Sequence, residues 1–278
     1  MDFRPPAKDN KPTTALVVGS SPRNPQYIHP MRHCHRIAAS AALVALAVGS
    51  ARAQDAPTDA PVAPFTNVFL ALGNTFTNVD ALNARFSANS YDAIAGHGFS
   101  IGAGGYTPYG RALFGAEYHS ADFGFESTDV GRTNRMSSHY WLAAAGYAFF
   151  TSWHFNIYGL LGAGIGTTKI TVSDPSGGPA YSSTSPLFDD ILANPGSSSV
   201  LTGTYTIFQP SLGVDYLMLR KAQSHMGVTF GMRIGTSISP HRTSWTYQGR
   251  DVVGAPDAGP VGGFLRLSVG IGGFKLTP

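Results

Sequence analysis

From about Asn67 to the end of the chain, apolar residues alternate with small or polar ones in eight separate segments. A period of two is the mark of an extended strand with one greasy face and one small or polar face. The pattern predicts strands over residues 67–77, 97–106, 111–120, 139–150, 154–170, 204–219, 225–239 and 261–276. In the second, Phe99, Ile101 and Ala103 oppose Ser100, Gly102 and Gly104. In the seventh, Met226, Val228, Phe230, Met232 and Ile234 oppose Gly227, Thr229, Gly231, Arg233 and Gly235. The links alternate in length: residues 107–110, 151–153 and 220–224 are short, whereas 78–96, 121–138, 172–203 and 240–260 are long. Each segment reaches the roughly 9–11 residues that a tilted membrane strand needs. An even strand count brings both termini to the short-turn end and gathers the long loops at the other.

A soluble eight-stranded barrel would turn its apolar face inward and carry charge outside. Here the non-apolar face is mostly Gly and Ser with a few charges, which suits the crowded interior of a narrow barrel whose bulky groups face lipid. The fold expected is therefore all-β: an eight-stranded antiparallel transmembrane up-and-down β-barrel over residues 66–278.

The N-terminal region supports export. Met31-Arg32-His33-Cys34-His35-Arg36 is a short basic stretch, an apolar run rich in Ala, Leu and Val follows, and Ala51-Arg52-Ala53 closes it. These are the three parts of a secretory signal peptide over residues 31–53, with cleavage expected after Ala53. Residues 1–30 read as an extension upstream of the natural start, and residues 54–65 as a proline-rich periplasmic lead-in. Loss of residues 1–53 removes seven of the 19 basic residues and two of the 16 acidic ones, which leaves 12 against 14 and a net charge of −2. The basic character thus belongs to the precursor, and nucleic acid is not an expected partner. The single cysteine, Cys34, lies in the signal, so the mature chain has no thiol chemistry.

Arg111, Glu117, His119, Asp215, Arg233 and Arg266 share the polar parity and form the expected interior network. Isolated charges inside a tight barrel are costly, so they should pair. Arg233 on the seventh strand neighbours Asp215 on the sixth and Arg266 on the eighth, and two arginines with one aspartate form the expected cluster. Arg111 and Glu117, six residues apart on one strand, should sit at different depths. In the third long loop, Ser185-Pro186 followed by Asp189 and Asp190 predicts a short helix with Ser185 as its cap. Leu187, Phe188, Ile191 and Leu192 are its apolar stripe, to be packed within its own loop, laid as a lid over the barrel mouth or offered to a partner.

Little points to catalysis. Glu117 and His119 share a face, but no nucleophile accompanies them. His97, His119, His139 and His241 fall near the outer strand ends with discordant parities, which suits interfacial histidines better than a metal site. No catalytic residue, metal or cofactor is expected.

The signal peptide, the loop asymmetry and glycine-rich strands such as Gly159-Leu160-Leu161-Gly162-Ala163-Gly164-Ile165-Gly166 resemble the small outer-membrane β-barrel superfamily: the OmpA transmembrane domain, OmpX, opacity-type proteins and, more distantly, OmpW. The resemblance covers residues 65–278. It implies residence in the outer membrane as a monomer, among lipid and lipopolysaccharide, after delivery by the barrel-assembly machinery. Such families end on a C-terminal aromatic, whereas here Phe274 is followed by four more residues. A non-enzymatic barrel with an envelope-structural or surface-interaction role is the leading expectation. A narrow channel for small or apolar solutes is the second, and a rim lipid hydrolase using His119 or Glu117 the third.

Overall fold

Backbone N–H and C=O groups cannot go unpaired in hydrocarbon, so a spanning sheet must close on itself. The computed structural model, which describes residues 64–127, 131–179, 181–219 and 226–273, shows that closure. The barrel strands are β1 (Thr66–Phe76), β2 (His97–Tyr109), β3 (Ala112–Ser127), β4 (Thr133–Thr151), β5 (Phe155–Ser173), β6 (Ser199–Leu219), β7 (Met226–Arg242) and β10 (Gly262–Gly273). Each pairs antiparallel with its neighbours along the chain, and β1 pairs with β10 from Thr66↔Gly273 to Thr75↔Phe264. A two-strand ribbon, β8 (Thr246–Tyr247) and β9 (Arg250–Asp251), extends the top of β6. Its turn places Gln248 and Gly249 at φ 50° and 76°, conformations in which glycine is free and glutamine is strained. Two short helices lie in the long loops: α1 (Asp80–Ala88) and α2 (Phe188–Ala193). The signal peptide, the upstream extension and most of the lead-in fall outside the described residues, as do the 220–224 turn and Phe274.

The outer wall is apolar. Val68, Leu70 and Leu72 on β1, Phe99 and Ile101 on β2, and Leu267, Val269 and Ile271 on β10 are all exposed. Tyr109, Tyr147, Phe149, Phe150, Trp153 and Tyr216 gather toward the short-turn end. A β-bulge in β4 between Ala148 and Phe150 turns Phe149 and Phe150 outward together. This is an aromatic girdle of the kind that sits at a membrane interface. A closed barrel with an apolar outer wall and buried charged side chains inside is a membrane architecture.

The strands are longer than the alternation suggested, chiefly at the long-loop end. Residues 121–138 are mostly not a loop, because β3 runs on to Ser127 and β4 starts at Thr133. At the other end, β2 continues to Tyr109, so the turn is Gly110–Arg111 and not residues 107–110. Gly110, at φ 61°, supplies the positive φ this tight turn requires.

Candidate functional site: the ionic layer and the loop cap

Glycine makes room for the interior. Facing each large inward polar side chain, the neighbouring strand carries a glycine: Gly104 opposite Glu117, Gly102 opposite His119, Gly231 opposite Asp215, Gly213 opposite Arg233 and Gly73 opposite Arg266. A Cβ on Gly102 would overlap the imidazole of His119, and one on Gly231 the carboxylate of Asp215. The glycine-rich strand faces are thus the space into which the charged layer folds.

Five of the six interior residues read from the sequence are buried: Glu117, His119, Asp215, Arg233 and Arg266. Arg111 is not among them. It lies in the β2–β3 turn and is exposed, because the strand begins one residue after it. The pairing also differs from the expected cluster. Arg233 forms its ion pair across the barrel with Glu117, while the other oxygen of that carboxylate meets His119 Nε2 at 2.8 Å. Arg266 donates to Gln209 Oε1 at 3.2 Å and to the Tyr140 hydroxyl at 2.5 Å, and its guanidinium stacks over Phe264 at 3.9 Å. Asp215 instead accepts from Asn67 Nδ2 and Tyr158 OH, both at 3.2 Å. Thr229 donates to Asn67 Oδ1 at 2.7 Å. The layer thus holds two carboxylates and two guanidiniums, which balances its formal charge, although of these four groups only Glu117 and Arg233 form an ion pair. Register accounts for this pairing: Arg233 pairs with Gly213, a full inward step from Asp215, and its long side chain crosses the lumen to Glu117.

Asn67, Tyr140, Tyr158 and Gln209 complete the layer. For the two tyrosines the signal was parity, since Tyr140 falls opposite to Trp141 and Tyr158 opposite to Ile157. Below this layer Phe69, Ala71, Tyr106, Leu113, Ala148, Tyr158 and Leu160 form an apolar cluster. Above it Tyr140, Leu142, Tyr205 and Ile207 form another.

Over the barrel mouth the long loops fold together. Leu82 and Phe86 of α1, Tyr91 and Ile94 of the first loop, Phe188, Ile191 and Leu192 of α2, and Trp245, Tyr247 and Val252 of the fourth loop share one hydrophobic core. It rests on inward-facing Phe123, Met136, Ile170, Val172 and Leu201 from the strand tops. The α2 helix is therefore a lid packed against other loops, not a helix that packs only its own. It begins at Phe188, two residues later than the Ser185 cap predicts, because Pro186 and Leu187 run extended and bridge to Val253. That bridge leaves Leu187, the fourth residue of the expected stripe, exposed.

Polar ties join the loops around this core. Tyr91 donates to Leu192 O at 3.1 Å, and burial pushes its hydroxyl pKa up to about 12. Arg85 pairs with Asp189 at 2.6 Å, and Arg250 donates to Ser183 O. Arg132 donates to Asn89 O at 2.6 Å and to Asp174 Oδ2 at 3.0 Å. Asp174 also accepts from the Ser176 hydroxyl and backbone, and these bonds, with Arg132, hold its carboxyl below the usual range. The α1 helix went unforeseen in the sequence. Its signal is Leu82 and Phe86 four apart behind Asp80.

Chemically the ionic layer is sealed. His119 is 1% exposed, its Nε2 is engaged with Glu117, and its Nδ1 lies against Gly102 without a hydrogen-bond partner. A general base must reach the proton it abstracts, and nothing outside the barrel can reach this one. Among the described residues no group of three or more His, Cys, Asp or Glu side chains could hold a metal ion.

No protein-family model and no characterised protein matches the chain by sequence. By structure it is similar to Ail, the attachment invasion locus protein of Yersinia pestis, at 10% identity and a TM-score of 0.38, over 76% of this chain and 99% of that one. It is also similar to Neisserial surface protein A, at 15% identity and a TM-score of 0.36, over 77% and 99%. A third likeness is to a major outer membrane protein from Thermus thermophilus, at 10% identity and a TM-score of 0.37, over 75% and 98%.

Proposed function

We propose that this chain is a monomeric, non-enzymatic barrel of the outer membrane whose lumen is closed and whose folded loop cap is its working surface. The observation that carries this reading is the continuous filling of the barrel. An apolar cluster, the Glu117–Arg233–His119–Arg266 layer, a second apolar cluster and the cap core follow one another from the short-turn end to the loop end. A small barrel packed in this way acts as a post that presents its loops. The packing disfavours the solute channel, and the burial of Glu117 and His119 disfavours the hydrolase. Assembly machinery and lipopolysaccharide are the partners this placement implies.

Planar-bilayer recording of the purified chain tests the reading. No step conductance is expected beyond that of the empty bilayer, while a sample run without boiling migrates as a compact species that shifts on heating. Reproducible single-channel steps would overturn the closed lumen. Recovery of the chain as a soluble species with no heat shift would overturn the membrane assignment.

A further inference from the structure

The Pro240 region of β7 carries a feature that the closed-post reading does not use. Phe208 of β6 pairs with Ile238, but Thr206 pairs with His241, so β7 holds one extra residue between these points. This β-bulge contains Pro240, which lacks the N–H that a regular ladder would need there. A bulge of one residue exchanges the two faces of a strand. Below it Arg233 and Ser237 point inward. Above it Arg242, which would otherwise face out, pairs with inward-facing Tyr205 and turns into the barrel mouth.

There Arg242 lines a cleft of about 270 Å³ between the tops of β6 and β7 and the 252–258 segment of the fourth loop. Tyr205, Trp245, Val252 and Ala258 are its buried lining. Thr243 and Ser244 are exposed at its edge. Gly259 lies against the guanidinium, where even a Cβ would sit 3.7 Å from Cζ. Four-fifths of the arginine side chain is buried, and its Nη1 has no hydrogen-bond partner. Its ion-pair partner among the described residues is Asp257 at 3.7 Å, itself 93% exposed. A desolvated guanidinium held this loosely has hydrogen-bonding capacity to spare, and the planar fork of arginine matches oxyanions. The two hydroxyls at the cleft's exposed edge are committed: Thr243 exchanges hydrogen bonds with the Thr204 backbone, and Ser244 donates to Asp251.

We propose that this cleft binds the phosphate group of a small sugar phosphate, with Arg242 as its anchor and Asp257 as a competing carboxylate that the ligand displaces. The volume lies just below the ~300–1,000 Å³ of sites for drug-sized ligands, which suits one ring and one charged group. The phosphate can come from a free sugar phosphate or from the phosphorylated sugars of lipopolysaccharide.

Calorimetric titration of the full chain in maltoside micelles tests the site. Glucose 1-phosphate and inorganic phosphate should bind one to one, and glucose should not. Arg242→Gln should weaken binding at least tenfold and Arg242→Lys less, while both keep the heat-shifted mobility of a folded barrel. Asp257→Asn should tighten binding severalfold, because it removes the competing charge without touching the anchor. Competition by phosphorylated but not dephosphorylated lipopolysaccharide assigns the phosphate to lipid, and its absence assigns it to a free solute; either result keeps the site. Equal binding by folded Arg242→Gln, equal binding of glucose and its phosphate, or no binding of either phosphate overturns the proposal. Titration in micelles does not depend on bilayer conductance, so such a failure leaves the closed-post reading standing.

Discussion

The ionic layer of the barrel and the cap above it are built on the same strands with opposite chemistry. At the level of the ionic layer β3 turns Glu117 and His119 inward and Phe114 and Tyr118 outward. A few residues higher the same inward parity carries Ala121 and Phe123. On β5 the inward glycines Gly162, Gly164 and Gly166 give way to Ile170 and Val172. The change follows from the solvent. In lipid, apolar groups gain little by facing inward, and the lumen can hold an ionic layer between two apolar clusters so long as its polar groups satisfy one another. Beyond the bilayer the surroundings are water, and the ordinary rule of an apolar core returns. One strand therefore obeys two burial rules, and the place where the rule inverts marks the outer edge of the membrane-facing wall. The two regions should also fail differently: the ionic layer through lost pairing, the cap through lost packing.

The largest effect is expected from breaking the ion pair of the layer. Arg233→Met leaves Glu117 buried with only His119 and no ion-pair partner. Removal of one member of a buried pair costs about 3–5 kcal/mol. Urea unfolding in detergent should show that loss, and Glu117→Gln should show one of similar size. The double variant Glu117→Gln/Arg233→Met should recover most of it, because both charges of this pair are then removed together. If the two single losses simply add, the pair is not coupled and the layer is held by packing, like the cap.

The cap should respond to truncation without disturbing the barrel. Leu192 is fully buried in the cap core. Leu192→Ala should cost about 2–5 kcal/mol of cap stability through lost contact and the cavity left behind. Limited proteolysis should then cut within residues 172–203, while the heat-shifted mobility of the barrel persists. Loss of the heat shift in this variant would mean that cap and barrel unfold as one cooperative unit.

The same inversion explains what the sequence made legible. Alternation located all eight barrel strands because, at membrane height, the outward residues are mostly large and apolar and most inward ones are small or polar, with Phe69, Leu113, Leu142 and Leu160 as inward apolar exceptions. It stopped short on β3 and β4 because Phe123 and Met136 are inward apolar residues, and the pattern there reads as its own opposite. Parity also led to Glu117, His119, Asp215, Arg233 and Arg266, each on the small-residue face. It misplaced Arg111, since parity alone does not say where a hairpin turns: Gly110 puts the turn at residues 110–111, and β3 begins one residue later than the alternation suggests. The partner of Arg233 was hidden because side chains cross the lumen, whereas reasoning by adjacent strands sees only neighbours. Arg242 was illegible for a different reason. It lies beyond a bulge, and a single inserted residue reverses every later inference from parity.

The smallest effect separates the two regions by acid alone. The Asp174 carboxylate ties the third loop to Arg132 and, through it, to the first loop at Asn89. Its folded pKa lies below that of an unfolded aspartate, near 3.9. The contribution of such a group is fully present above the unfolded value and fades as pH falls through the folded one. Acidification below about pH 4 should therefore loosen the cap first. Hydrogen exchange should show faster exchange around residues 172–179 and 89–92 at pH 3 than its intrinsic pH dependence explains, with β1 and β10 unchanged. Asp174→Asn should remove that excess, since its amide neither titrates nor carries the charge that holds Arg132. If β1 and β10 open in step with the cap, acid is acting on the buried carboxylates of the barrel, and the ionic layer rather than the loop tie is the acid-sensitive element.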